Sequence, residues 1–221
     1  MSRVRADYYD AKQQSILESA AALFAAAGYP SVKMQHIAEA CGATKSMLYH
    51  YFPTKDHILQ ALLSEHLERL IADVQHAIEA HATAKQRFAA FVRVHVQKSA
   101  QSRQRHVTAM NDLKFLPVRM QKPILKLEYQ LMEQIAELLR ELNPGLPDDM
   151  YRPYTMLLLG MLNWTDLWYK PDGRMNAEEL CARISRLFMR GFLTEKKGGL
   201  SSEGQTVRDL ERSIPHNYET T

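Results

Sequence analysis

Residues 28–59 read GYPSVKMQHIAEACGATKSMLYHYFPTKDHIL. Met34, Ile37, Ala38 and Cys41 recur at three- and four-residue spacing, the period of one helical face, and Gly42 stops that helix. A second short helix spans Lys45 to Tyr51; Pro53 ends it, because the residue before a proline is pushed out of the helical region. Two short helices joined by a glycine-containing turn make a helix-turn-helix, whose second helix fits the major groove of DNA. The spacing alone leaves a second reading open, two helices of an ordinary all-α core.

The surrounding chain is consistent with either. At 221 residues it makes one large domain or two small ones, and 46% hydrophobic residues supply a real core. A formal charge of +3 is compatible with nucleic acid without demanding it. The two cysteines, Cys41 and Cys181, lack the spacing of a metal site or disulfide scaffold and read as small buried residues in a reducing compartment. The N-terminus carries no signal peptide, and no apolar run approaches the ~20 residues that span a bilayer. The expected location is the cytoplasm, with no membrane contact. No phosphate loop, nucleophile elbow or metal-ligand set is present, so neither enzyme chemistry nor a cofactor is expected.

Residues 1–10 read as a basic arm, with Arg3 and Arg5 as candidates for phosphates or a minor groove, or as a charged disordered tail. Asp10 and Gln13 make a capping-box pattern for a first helix whose stripe is Ile16, Leu17, Ala20, Leu23, Phe24 and Ala27. From Thr54 a long helix carries Ile58, Leu59, Leu62, Leu63, Leu67, Leu70, Ile71, Val74 and Ile78 on one face.

Gly28-Tyr29, Ile37-Ala38, Gly42, Leu48-Tyr49, Tyr51-Phe52 and Lys55 resemble the DNA-binding domain of the TetR family of bacterial repressors. The resemblance covers residues 10–60 by motif and the rest by architecture. It implies an all-α fold: a helix-turn-helix domain over 11–56, a larger helical effector-binding and dimerisation domain over 57–195, and a polar tail over 196–221. It also implies that Ser31, Lys33, Thr44, Lys45, Ser46, Tyr49, His50 and Lys55 face double-stranded operator DNA. Ser31 and Thr44 suit helix N-termini or phosphates, and Lys45 suits guanine or phosphate oxygens. Ser46 is short enough to let the helix approach the bases. Tyr49 and Lys55 match family positions that hold the phosphate backbone. Val32, Lys33 and Met47 depart from the family pattern, which leaves the operator sequence open.

In the C-terminal half, Phe91, His95, Arg105, Met110, Phe115, Arg119, Met120, Trp164 and Trp168 are the candidates for an effector cavity. Between Lys85 and Lys126 ten basic residues face one acid, Asp112. That segment is either a solvated face or an anion site for a phosphorylated ligand. Asp73 and His76 lie one turn apart, but no Glu-x-x-His pair accompanies them, so a solvated histidine is the expected reading. Helices are expected over 124–142, over an all-round apolar stretch after Pro147, and from Asn176 to Phe192. The segment GMLNWTDLWYKPDGRMNAEEL resembles a TetR subgroup controlling catabolism of fatty acids, sterols or aromatic acids, which implies a coenzyme A thioester as the effector. The alternative is an efflux-pump repressor sensing a neutral or cationic hydrophobic compound. In the family the last two long helices pair with their symmetry mates, and Gly160 and Gly191 permit close approach there.

Overall fold

The computed structural model describes residues 2–170 and 172–195, which form ten helices and no strand among the described residues. Helix α1 spans Ser2–Ala27, α2 Met34–Ala40 and α3 Lys45–Tyr51. The long α4 spans Lys55–Glu79, followed by α5 Ala84–Gln101 and α6 Arg103–Asp112. Then come α7 Val118–Leu142, α8 Asp148–Asn163, the single turn α9 Thr165–Trp168, and α10 Ala177–Phe192. The tail expected over 196–221 lies outside the described residues.

Two cores form, and α4 runs through both. The first gathers Ile16, Leu17, Ala20 and Phe24 of α1, Ile37 of α2, Leu48 of α3, and Ile58, Leu59, Leu62 and Leu63 of α4. The second begins further along α4 at Leu70, Ile71 and Val74 and takes in Phe88, Phe91, Leu139, Leu158, Ile184 and Phe188. Thr54 caps α4 by accepting from the His57 N–H at 3.4 Å, and Asp56 sits in the positive first turn.

Three boundaries differ from expectation. Helix α1 begins at Ser2 and not at Asp10, so residues 2–10 belong to the helix. Helix α7 begins at Val118, five residues before Pro123. The proline removes one backbone bond, but Met120 and Ile124 on either side of it are buried in the first core, and that burial holds the extra turn. Helix α8 was expected to be buried on several sides. Its Tyr151, Thr155, Leu158 and Leu162 are buried, whereas Met156, Leu157 and Met161 are exposed. On α10, Leu187 is likewise outward, at 68% exposed, whereas Leu180, Ile184 and Phe188 are buried.

Candidate DNA-reading face and effector cavity

The turn between α2 and α3 works because Gly42 takes φ 61°, which disfavours a side chain. Thr44 then caps α3, accepting the Met47 N–H at 3.1 Å. Leu48 is fully buried and Phe52 nearly so, and they turn α3 so that Lys45, Ser46, Met47, Tyr49 and His50 stand exposed along one side. Lys12 braces this unit by donating to the Cys41 carbonyl at 2.8 Å, from α1 to the end of α2.

Ser31 does not cap α2. It ends a short 3-10 turn, Tyr29–Ser31, and the helix starts after Lys33, whose backbone N–H donates to His36 Nδ1 at 3.2 Å. Lysine has no acceptor, so the cap is half made and the Lys33 side chain stays exposed. Lys55 also makes contacts inside the protein. Its ammonium donates to the Tyr29 and Val32 carbonyls at 2.7 and 2.8 Å and lies 4.1 Å from the Tyr29 ring centre. Partial burial lowers its pKa. Lys55 is a brace holding the start of α2 against α4; two of its three N–H donors are spent inside the protein.

A cavity of about 640 Å³ opens between α4, α5, α6, α7, α8 and α9, within the ~300–1,000 Å³ usual for small-molecule sites. Of the expected residues, His95, Met110 and Trp164 line it. The other six do not, each for a visible reason. Phe91 is fully buried behind His95, its ring edge-on at 5.9 Å. Phe115 stacks on Tyr29 at 5.8 Å, and Met120 is buried in the first core, so both join the two domains. Trp168 is 53% exposed and stands against Tyr169. Arg119 is exposed at the start of α7.

Arg105 is buried and committed elsewhere. It donates to Glu65 at 3.1 Å and to Gln14 of α1 at 3.2 Å, while Gln14 donates to Glu65 at 2.9 Å. None of the ten basic residues between Lys85 and Lys126 lines the cavity. Among them Arg87 pairs with Glu141, Lys98 with Asp73, and Arg105 with Glu65. Asp73 is thus engaged by Lys98, which removes it from the one-turn pair with His76. The cation on the cavity wall is Arg152 of α8, and the carboxylate is Glu128 of α7.

Sequence reasoning missed His66 and His106, which meet His95 on the cavity wall from three different helices. His66 Nε2 and His106 Nδ1 are 3.1 Å apart, and the His95 ring stands edge-on to His106 at 5.8 Å. A sequence signal existed: all three sit on apolar helix faces, where a histidine is unusual. Burial pushes the pKa of His66 down to about 4, helped by His106, Arg105 and Arg69. Burial, then His106 and His66, pushes that of His95 to about 3.

These shifts have a consequence for stability. The fold holds both rings neutral, whereas the unfolded chain protonates them below about pH 6.5. Their contribution is therefore full above that pH and lost as the pH falls toward the folded values. The melting temperature should fall between pH 6.5 and 4, and His95→Phe should flatten that slope. An unchanged slope in calorimetry would mean the buried rings do not set the acid limit.

The family described as "Bacterial regulatory proteins, tetR family" matches residues 16–62, and "Tetracyclin repressor-like, C-terminal domain" matches residues 81–192. The structure resembles a TetR-family transcriptional regulator from Bordetella parapertussis 12822 at 34% identity and TM-score 0.77, covering 83% of this chain and 96% of that one. The HTH-type transcriptional repressor KstR2 of Mycobacterium tuberculosis (strain ATCC 25618 / H37Rv) is 23% identical over 201 residues, 88% of this chain and 99% of its own length. AibR, solved in complex with isovaleryl coenzyme A and operator DNA, shares the fold at 24% identity and TM-score 0.72, covering 80% of this chain and 97% of that one. Among the described residues no helix is long and apolar enough to cross a membrane. The chain belongs to the TetR family of ligand-responsive, helix-turn-helix transcriptional regulators and is not an enzyme.

Proposed function

We propose that this protein is a homodimeric, cytoplasmic repressor that leaves a palindromic operator when a coenzyme A thioester enters the cavity. The observation that carries the reading is an apolar cavity lying one helix away from the DNA-binding domain. Leu67, Leu70, Leu131, Met132, Met156 and Leu159 supply walls for an acyl group, and Arg152 supplies a cation for a phosphate. The isovaleryl coenzyme A of AibR supports the same ligand class. The basic segment 85–126 no longer figures in it, since its cations stand away from the cavity.

Dimerisation is inferred from what α8 and α10 leave uncovered. Leu157, Met161 and Leu187 are exposed large apolar side chains on these helices. A Cβ added at Gly191 would meet nothing within 4 Å, so α10 presents an open, closely approachable surface. A second copy packed there would set two α3 helices at half-sites roughly 34–36 Å apart.

Coupling is assigned to α6. One of its sides carries His106, Val107, Ala109 and Met110 to the cavity. Its Arg105 grips Gln14 of α1, and the turn after it brings Phe115 onto Tyr29. A ligand that displaces α6 therefore pulls on the floor of the helix-turn-helix. By linkage, effector and DNA must weaken each other equally, typically by roughly 1–3 kcal/mol.

Three measurements check this reading. Acyl- and aryl-coenzyme A thioesters should raise the melting temperature and release operator DNA, with free acids and free coenzyme A inert. A response confined to neutral or cationic hydrophobes would instead favour the efflux-repressor alternative. Lys45→Ala and Tyr49→Phe should each weaken operator binding about tenfold while leaving the melting temperature unchanged; normal affinity in both would mean that α3 reads DNA with another side. Arg105→Met leaves Glu65 paired with Arg69 at 3.1 Å, so the fold should survive. This variant should bind thioester normally yet release operator poorly, and full release on ligand binding would remove the α6 route.

A further inference from the structure

We propose that His66, His95 and His106 form a polar subsite at the inner end of the cavity that takes a neutral oxygen function, a ketone or a hydroxyl, on the hydrophobic part of the effector. The inference rests on the cavity being the effector site, as proposed above, and not on the effector being a thioester.

The cavity has two unlike ends. At the outer rim Met156, Trp164 and Leu167 are 54%, 66% and 64% exposed. The three histidines are 6%, 1% and 4% exposed, so they stand at the inner wall. A ligand entering past the tryptophan meets leucines and methionines first and imidazoles last. An apolar tip would leave ring nitrogens facing hydrocarbon, and unmet buried polar groups are costly.

The imidazoles have bonding capacity to offer. A neutral ring carries one donor and one acceptor nitrogen. His66 spends Nε2 on His106, and His95 has Nδ1 at 3.5 Å from Ser99 Oγ. His66 Nδ1 and His95 Nε2 have no hydrogen-bond partner among the described residues. A carbonyl accepts from such a wall; a hydroxyl both donates and accepts.

The arginines nearest this end are turned away from the cavity. Arg105 and Arg69 are both paired with Glu65 of α4, and Lys98 of α5 is paired with Asp73 of α4. Glu128 on α7 and Arg152 on α8 are the charged groups on the facing walls. Neither Arg105 nor Arg69 lines the cavity, their donors going to Glu65 and Gln14, and the burial that keeps His66 and His95 neutral withholds a charge of their own. An anion here would have to bring a proton with it.

The test uses imidazole nitrogen resonances of the full-length protein at pH 7, with cyclohexanone, cyclohexanol, methylcyclohexane and cyclohexanecarboxylate as saturating fragments. The ketone and the alcohol should move the signals of the three histidines, and the hydrocarbon of matching size should not. No response to either oxygenated fragment, an equal response to methylcyclohexane, or selection of the carboxylate with proton uptake would each overturn the proposal. In parallel, 4-oxocyclohexanecarbonyl-coenzyme A should bind about tenfold tighter than cyclohexanecarbonyl-coenzyme A, the factor one well-placed hydrogen bond supplies. His95→Phe, checked for folding by circular dichroism, should erase that difference. If both thioesters bind alike and His95→Phe changes neither, the subsite falls and the thioester reading stands. If neither thioester binds while the oxygenated fragments still move the histidine signals, the thioester reading falls and the subsite stands.

Discussion

Everything in this fold depends on one helix being buried in two cores. Along α4, Ile58, Leu59, Leu62 and Leu63 belong to the DNA-binding core, and Leu70, Ile71 and Val74 to the effector core. Each such side chain contributes on the order of 1.5–3 kcal/mol by leaving water. A helix of 25 residues, about 37 Å long, is thereby fixed at both ends to surfaces it cannot rotate against without exposing a stripe. The two domains cannot move independently along this route. A ligand must either tilt α4 as a whole or act through the other links between the domains, α6 and the start of α7.

Two cations hold those links in register, by different means. Lys55 sits at the start of α4 and closes on the Tyr29 and Val32 carbonyls, with the Tyr29 hydroxyl in turn bonded to Asp56. It sets where α2 begins, and through α2 where α3 points. Arg105 joins α6, α4 and α1 through Glu65 and Gln14. Buried ion pairs add little net stability, because desolvation offsets attraction. Their directional bonds constrain geometry more than they add energy. In a protein whose output is the position of α3, geometry is what has to be transmitted.

The helix-turn-helix was legible because its determinants are local. Gly42, Thr44 and the Leu48–Phe52 spacing act within a few residues of one another, and the structure uses each as the spacing implied. The cavity was not, because its lining comes from six helices whose mutual rotation no local pattern sets. Phe115 and Met120 read as cavity wall, since an aromatic and a methionine suit one, yet the chain carries them back to the first core. The pairing within the basic segment was hidden for a related reason: the acids that meet Arg105, Lys98 and Arg87, which are Glu65, Asp73 and Glu141, lie outside it in sequence. Local propensity failed at Pro123, where long-range burial of Met120 and Ile124 overrides the break.

The histidine wall bears on how selective the sensor is. An apolar pocket separates ligands differing by a methylene by only about 1–3 kcal/mol, and it scarcely rejects an added hydroxyl. A site built to hydrogen-bond an oxygen rejects the analogue lacking it far more strongly, because the protein's own groups are then left unpaired. Three imidazoles at the inner wall shift this cavity from the first kind toward the second. They also lie beside the link that carries the signal: His106 follows Arg105 in α6, and His66 follows Glu65 in α4. A ligand atom bonded to the histidines is thus one residue from the clasp that reaches α1, whereas one resting on Met156 or Leu159 touches only α8. Recognition of the polar group and transmission to DNA are performed by adjacent residues of the same two helices, so a hydrocarbon that merely fills the cavity lacks the contact nearest the clasp.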